Sequence, residues 1–247
     1  MLAPINSVIT SLLLFFYQNL GSSLGLAIIF LTIIIRLVLV PVTLPSLKSA
    51  KKMQDLKPSL DRLKKKFKDP KKLQQAQLQL YKQNKINPAS GCLPQIVQII
   101  ILISLYRVLT DFIGQEFING IKVNLNFLWL DLSQPDPFYI LPVVAGVSQL
   151  FYSLLTQTGT ATDVKNPKNK AKKKKEEDKL EMAQSIQKQM VYTMPLMTGI
   201  IALKFASGLA LYWSISTIFS LIQQLILSGP GGLQRLASRI TLPFKKK

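Results

Sequence analysis

A single arginine interrupts a long apolar stretch near the start of the sequence. Residues 24–44 read LGLAIIFLTIIIRLVLVPVTL, and Arg36 is the one charged residue among them. As a helix these residues would be about 31 Å long, which is the thickness of the hydrocarbon core of a bilayer. A charge placed near the middle of that core costs about 2.5 to 3.5 kcal/mol. We therefore expect the guanidinium of Arg36 to face the interior of the protein or a water-filled cavity.

A second interpretation of Arg36 stays open at this point. Its side chain could extend along the helix to an interface while the bilayer thins around it. However, Arg36 would lie roughly 18 Å from one end of the stretch and 12 Å from the other. Reaching either interface would therefore require a strained side chain.

Other residues that could perform chemistry are scarce. The sequence has no histidine and one cysteine, Cys92. It therefore offers no plausible zinc site, Ser-His-Asp triad, Cys-His pair or internal disulfide. It also has no phosphate-binding glycine loop, so we expect no nucleotide hydrolysis. These features favour a protein that is not an enzyme and uses no metal or organic cofactor.

The positive charges are separated from the apolar segments. The 247 residues are 48% hydrophobic, yet the formal net charge is +19. Of the 31 Lys and Arg residues, 13 lie within residues 45–91, nine within residues 158–190 and five after residue 227. This segregation is typical of a polytopic membrane protein whose basic loops share one side. The positive-inside rule then places these loops and the C-terminus in the cytoplasm, with the N-terminus outside.

The alternation of apolar and polar segments predicts an all-α polytopic membrane protein with five transmembrane helices. The expected segments are an N-terminal interfacial amphipathic helix at 1–22, spans at 23–45, 92–113, 138–157, 190–205 and 206–227, a basic cytoplasmic helical hairpin at 46–91, an extracytoplasmic loop at 114–137, a Lys-rich cytoplasmic loop at 158–189 and a basic cytoplasmic tail at 228–247. The apolar face of the first helix is expected to hold Ile5, Val8, Ile9, Leu12 and Phe16. A frayed terminus is the alternative for residues 1–22.

Prolines mark several expected helix boundaries. Pro41 and Pro45 should end the first span, and Pro58 should kink the first helix of the hairpin. Asp69 suits an N-cap and Pro70 the first position of a helix. The second helix of the hairpin should therefore begin at Pro70.

The hairpin is predicted to be a folded module that recognises an anionic partner. Its apolar residues recur every three or four positions, at Met53, Leu56, Leu60, Leu63, Phe67, Leu73, Ala76 and Leu80. Its 13 basic residues against three acidic ones give a net charge of +10. Such a surface fits either lipid headgroups or RNA. The alternative is a charged surface that is merely solvated.

Three stretches together resemble the YidC/Oxa/Alb insertase family. They are GLAIIFLTIIIRLVLVPVTL, KKMQDLKPSLDRLKKKFKDPKKLQQAQLQLYKQNKINPASGCLPQIVQ and QKQMVYTMPLMTGIIALKFASGLALYWSISTIFSLIQQ. The resemblance covers most of the chain and implies an insertase of the bacterial plasma membrane. Such a protein moves single- or double-spanning substrates from the cytoplasm into the bilayer without nucleotide hydrolysis. Its five helices are expected to enclose a hydrophilic groove that is open to the cytoplasm and to lipid but closed to the outside.

The same resemblance implies site residues and partners. The positions that match the groove or its substrate contacts are Arg36, Thr32, Gln98, Gln149, Tyr212 and Trp213. Nascent membrane proteins are the implied substrates. The ribosome at the basic loops and tail, anionic lipids, the Sec translocon and the signal recognition machinery are the further partners. The chain is expected to function as a monomer.

Two other classes of membrane protein are alternatives to an insertase. A secondary transporter would place a carboxylate or a broken helix at the bilayer midplane, whereas the acidic residues here lie in loops or near the end of a span. A basic membrane tether for ribosomes or RNA would explain the loops, but it leaves Arg36 unexplained.

Overall fold

The computed structural model of the protein describes residues 3–67, 69–86, 93–114, 117–118, 121–156 and 193–229. The predicted Lys-rich loop and nearly all of the predicted tail lie outside these ranges. Within them the helices are α1 (Ala3–Asn19), α2 (Leu24–Asp55), α3 (Lys57–Lys66), α4 (Pro70–Gln83), α5 (Leu93–Ile113), α6 (Ile140–Thr156), α7 (Thr193–Ala202) and α8 (Ser207–Ser228). The strands are β1 (Phe117–Ile118) and β2 (Ile121–Lys122), which pair antiparallel, and β3 (Asn126–Phe127) and β4 (Leu130–Asp131), which also pair antiparallel.

Helix α8 lies at the centre of the bundle. It packs along α6 and α2 and also contacts α5, while α1 packs on α2 and α5. The apolar core lies where α1, α2, α5 and α8 meet, and it includes Leu13, Ile28, Leu105, Leu209 and Tyr212. The architecture is mostly helical, as the sequence predicts.

Three helices in the described part of the chain are long and apolar enough to cross a bilayer: α2, α5 and α8. Helices α6 and α7 are apolar but shorter. The 17 residues of α6 rise about 25 Å, which is slightly less than the hydrocarbon thickness. Their packing on α8 nevertheless makes α6 part of the same apolar bundle.

Helix α2 continues beyond the two prolines that mark the predicted end of the first span. It continues through Pro41 and Pro45 to Asp55, although each proline removes one backbone hydrogen bond. The residues around the prolines are held by packing, since Thr43, Ser46 and Leu47 are buried. Tertiary contacts thus outweigh the local preference of proline. Helix α2 is therefore one continuous helix of 32 residues.

The hairpin begins later than predicted, and its first proline has a different role. Helix α2 ends at Asp55, and α3 begins at Lys57 with Pro58 in its first turn. Proline is tolerated there because the amide hydrogens of a first turn have no partner within the helix. The predicted disturbance at Pro58 is thus observed as a boundary between α2 and α3, and not as a bend within one helix. Helix α4 begins at Pro70, as predicted, and packs against α3, on which Leu60 is fully buried.

Helix α1 packs on the protein with a face that overlaps its predicted apolar face only in part. The buried residues are Ile9, Leu13 and Tyr17, whereas Ile5 and Val8 are exposed. The predicted face combined apolar residues that contact the core with others that point away from it. The chain is apolar on both sides here, so periodicity alone does not identify the packed side.

The segment between α5 and α6 contains both strand pairs, which the all-α prediction did not include. Each strand has two residues, too few for an alternating pattern to be read from the sequence. We call the end of the bundle beside this segment the loop end. The opposite end, where α2 runs into α3 and α4, is called the hairpin end.

Candidate functional site around Arg36

Helix α2 places Arg36 at the edge of its exposed apolar stripe. The exposed residues of α2 in this region recur at spacings of three or four, at Leu26, Phe30, Ile33 and Leu37. Arg36 lies about 60° around the helix from Ile33 and about 100° from Leu37, and its side chain is partly buried and donates hydrogen bonds to α5 and α8. The guanidinium therefore lies on the side of α2 that packs in the bundle, as the cost of placing it in lipid predicts.

Three helices meet through a chain of polar side chains at this point. Arg36 Nε donates a hydrogen bond to Ser216 Oγ at 3.2 Å, and Nη2 donates to Gln98 Oε1. Gln98 Nε2 in turn donates to Tyr212 Oη at 3.2 Å. Arg36 belongs to α2, Gln98 to α5, and Tyr212 and Ser216 to α8. We call these four residues the arginine cluster.

The arginine cluster leaves donors for a ligand. A guanidinium carries five N–H groups, and the hydrogen bonds to Ser216 and Gln98 within the described residues engage two of them. Planar N–H groups of this kind bind carboxylates well. Tyr152 of α6 also lies close enough to interact electrostatically with Arg36. The arrangement can attract and orient an anion, and no residue in it is placed for covalent catalysis.

The structure does not bring the other predicted site residues into the arginine cluster. Thr32 is fully buried, and its hydroxyl donates to the carbonyl of Ile28 in its own helix at 2.6 Å. Gln149 is partly buried on α6. The ring of Trp213 packs against Phe205, with 5.9 Å between centroids. Of the six predicted site residues, Arg36, Gln98 and Tyr212 are thus the three that hydrogen bonds connect in the described part of the chain.

Two residues near Arg36 were missed by the sequence interpretation. Ser216 follows Tyr212 by four residues, so both lie on one face of α8. Tyr152 follows Gln149 by three residues and shares a face of α6 with it. Extending each candidate by one helical turn and asking for a polar side chain would have found both.

The loop end is closed by backbone contacts. The amide and the hydroxyl of Ser207 both donate to the carbonyl of Gln134 at 2.7 Å, and Gly208 N donates to the carbonyl of Leu132 at 3.1 Å. The ring of Phe127 lies directly on Gly25 of α2: a Cβ atom there would be 2.1 Å from Phe127 Cγ. The first turn of α8 is therefore fixed to the loop segment.

The hairpin end is held by side chains. Lys51 Nζ donates to the carbonyl of Leu227 at 2.8 Å, and Gln54 Nε2 donates to the carbonyl of Leu155 at 2.6 Å. These carbonyls belong to the last turns of α8 and α6, which lack partners within their own helices. The final turns of α2 thus join the ends of α6 and α8.

No metal site accompanies these contacts: among the described residues, no three carboxylate or thiol groups lie close enough to bind a cation. The bundle is apolar outside and holds an arginine between its helices. These features define a membrane protein with a polar contact site inside it.

Comparisons with known proteins identify the family. The family model for the 60Kd inner membrane protein matches residues 15–230. The chain is 38% identical over 234 residues to membrane protein insertase YidC 2 of Bacillus anthracis, covering 92% of this chain and 79% of the relative. It is 36% identical over 217 residues to membrane protein insertase MisCA of Bacillus subtilis (strain 168), covering 85% and 72% respectively.

A solved structure agrees with the sequence relatives. The crystal structure of an active YidC insertase with its first transmembrane domain resolved matches with a TM-score of 0.61 at 29% identity. The match covers 88% of this chain and 45% of that one. The chain belongs to the YidC family of membrane protein insertases, which confirms the resemblance seen in its sequence.

Proposed function

We propose that this insertase moves single- or double-spanning proteins from the cytoplasm into the bilayer through a water-filled groove that contains Arg36. Five helices, α2, α5, α6, α7 and α8, cross the membrane in this proposal and enclose the groove. No nucleotide is hydrolysed, because the free energy comes from transferring an apolar helix into lipid. The observation that carries the proposal is the arginine cluster, which holds a charged side chain on the packed side of α2.

In the proposed mechanism the arginine attracts an acidic segment of the substrate. A polar segment crosses hydrocarbon at a high cost unless its groups find polar partners on the way. The unengaged N–H groups of Arg36 and nearby water would supply such partners partway across. The membrane potential then favours outward movement of acidic groups by about 2.3 kcal/mol per charge per 100 mV.

The proposed orientation places the loop end outside and the hairpin end in the cytoplasm. The basic residues of the hairpin support this orientation by the positive-inside rule. The contacts that fix the first turn of α8 support a groove that is closed at the loop end. The protein would thus lie in the bacterial plasma membrane, with its N-terminus outside and its C-terminus in the cytoplasm.

The proposed partners follow from the same orientation. Nascent membrane proteins are the substrates, and the partly exposed Gln149 and Trp213 contact them further along the groove. Thr32, which is fully buried one turn before Arg36, supports the wall of the groove from within. The basic hairpin would meet the ribosome and anionic lipids. The monomer is the proposed functional unit, and it acts either alone or beside the Sec translocon with the signal recognition machinery.

Replacing Arg36 tests the groove. The assay measures insertion into proteoliposomes of one substrate made with either a neutral or an acidic leading segment. Arg36→Lys should keep much of the activity because it retains the charge. Arg36→Ala should lower insertion of the acidic substrate by about tenfold or more, which corresponds to ~1.4 kcal/mol, and that of the neutral one by less. Arg36→Glu should be worse still, because like charges repel.

The matched control is Arg107→Ala. Arg107 is exposed on α5, about 9 Å from the end of that helix at Ile113, so its charge can reach the interface. Its loss should not discriminate between the two substrates. A purely structural Arg36 predicts a different pattern: Arg36→Lys and Arg36→Ala both lower the melting temperature, and both substrates lose insertion equally. Unchanged insertion by Arg36→Ala would remove Arg36 from the mechanism.

A further inference from the structure

Four large apolar or aromatic side chains are exposed together at the loop end. Leu128 is 76% exposed, Phe138 65% and Tyr139 58%, and Trp129 is exposed to a lesser degree. They come from the turn between β3 and β4 and from the residues just before α6. We call these four residues the apolar platform. They contribute no hydrogen bond to the arginine cluster, and the proposed insertion mechanism does not use them.

One buried carboxylate holds the two parts of the platform together. Asp136 Oδ1 accepts hydrogen bonds from Trp129 Nε1 at 3.3 Å and from the amide of Phe138 at 3.1 Å. Asp136 Oδ2 accepts from the amide of Leu141 at 2.7 Å. The same carboxylate therefore fixes the indole, the Phe138 backbone and the first turn of α6. The platform is a built surface and not a set of unrelated exposed side chains.

The backbone of the platform is held in an unfavourable conformation. Leu128 has a φ of 56° and Tyr139 a φ of 59°. This left-handed region suits glycine or asparagine and disfavours bulky residues. The chain thus bears both conformational strain and the exposure of large apolar side chains at the same two positions. Contact with an apolar environment would remove the cost of exposing these side chains to water.

We propose that the apolar platform inserts into the membrane interface at the loop end and anchors the start of α6 in lipid. The exposed face of α6 supports lipid as the surroundings of the platform. Ile140, Val143 and Val147 of α6 follow one another at spacings of three and four, so they share one face of the helix, and all three are exposed directly after Tyr139. The platform therefore continues the stripe of α6 that faces lipid if α6 crosses the membrane, as in the proposed function.

The charge of the loop segment points to apolar contact with lipid and not to headgroup attraction. Residues 114–139 carry three acidic residues and one basic one. Such a segment has no electrostatic attraction to anionic headgroups, in contrast to the basic hairpin. Aromatic side chains at the level of the headgroups are a common anchor of membrane proteins. The platform should therefore bind neutral and anionic membranes equally.

Spin labels can measure where the platform lies. Each protein carries Cys92→Ser and one new labelled cysteine, and it is reconstituted in phosphatidylcholine vesicles with or without phosphatidylglycerol. The labelled variants are Phe138→Cys on the platform, Asn126→Cys at an exposed polar position of β3, and Val147→Cys in the middle of α6. Collision with oxygen reports lipid exposure, and collision with a water-soluble nickel chelate reports aqueous exposure.

The anchor predicts a specific order of depths. The Phe138 label should collide mainly with oxygen, at a depth between those of the labels at Asn126 and Val147, with and without phosphatidylglycerol. A Phe138 label as accessible to nickel as the Asn126 label would overturn the anchor, and so would a label protected from both reagents, which indicates a protein partner. A Val147 label in water would instead contradict the proposed span, so the two failures are distinguishable.

A second variant separates anchoring from folding. Leu128→Asn with Tyr139→Asn places asparagine in the left-handed region, which it tolerates better than leucine or tyrosine. The protein should keep its melting temperature in detergent, while the Phe138 label shifts toward water. An unchanged depth of the label would show that Leu128 and Tyr139 do not anchor the loop.

Discussion

The two ends of the helix bundle are held by different kinds of contact. At the loop end, carbonyls of the loop backbone accept hydrogen bonds from the first turn of α8, and the Phe127 ring lies on Gly25. At the hairpin end, Lys51 and Gln54 reach from α2 to the last carbonyls of α8 and α6. Loop carbonyls and one packed aromatic ring fix one end, and the flexible side chains of Lys51 and Gln54 fix the other.

This difference bears on which end can open. Separating α8 from the loop would leave buried amide groups without partners, which costs about 1 to 3 kcal/mol for each group. A lysine or glutamine at the hairpin end can turn toward water, and water can replace it at the carbonyl. The hairpin end is therefore the end that can separate at low cost. This suits an insertase whose substrate enters from the hairpin side.

The largest effect on the stability of the helix bundle is expected at the loop end. In Gly25→Ala the new methyl group would overlap the Phe127 ring, because a Cβ atom would lie 2.1 Å from Cγ. Overpacking of this kind costs about 1 to 3 kcal/mol. Thermal unfolding in detergent should show a clear decrease. Gly114→Ala is the control, since its nearest neighbour would be a backbone oxygen at 3.4 Å.

The double variant sharpens this prediction. Phe127→Ala removes the ring that the new methyl group would meet, so Gly25→Ala should cost little in that background. The two substitutions should therefore be strongly non-additive, as expected for residues in contact. Additive losses would mean that the ring does not close the loop end against α2.

The sequence was most informative where a residue contradicts its surroundings. An arginine within an apolar helix is costly, and this cost alone predicted that Arg36 faces the protein interior. The cost of placing the arginine in lipid does not identify the residues that bind its guanidinium. Ser216 was missed because α8 contains six serines and threonines, and three of them simply bond to carbonyls of their own helix: Ser214, Thr217 and Ser220.

Local rules failed where packing decided the outcome. Pro41 and Pro45 mark the predicted end of a span and are poor residues for a helix interior, but buried neighbours keep the helix intact to Asp55. The loop segment gave no usable pattern, because two-residue strands have no periodicity. Its contacts with Gly25 and Ser207 join residues distant in the chain, so no local signal encodes them.

A smaller loss of stability is expected at the hairpin end. Lys51→Met and Gln54→Leu each remove a hydrogen bond to a helix C-terminus. Lys51→Met also removes a positive charge that is favourable at that end of a helix. Each should cost about 0.3 to 1 kcal/mol in thermal unfolding. Lys52→Met is the control, because Lys52 is the next residue of α2 and is exposed. Losses as large as that of Gly25→Ala would remove the contrast between the two ends.

The smallest effect on the bundle is expected from a large change within the hairpin. Leu60 is fully buried on α3, which packs on α4 and on α2, so Leu60→Ala should destabilise the hairpin by about 2 to 5 kcal/mol. The hairpin packs chiefly on itself and on the end of α2, so its local opening need not disturb the arginine cluster. Hydrogen exchange should therefore become faster in α3 and α4, while exchange in α5 and α8 and the melting temperature of the bundle stay unchanged. Faster exchange in α8 as well would show that the hairpin supports the bundle, and the hairpin end would then be as firmly held as the loop end.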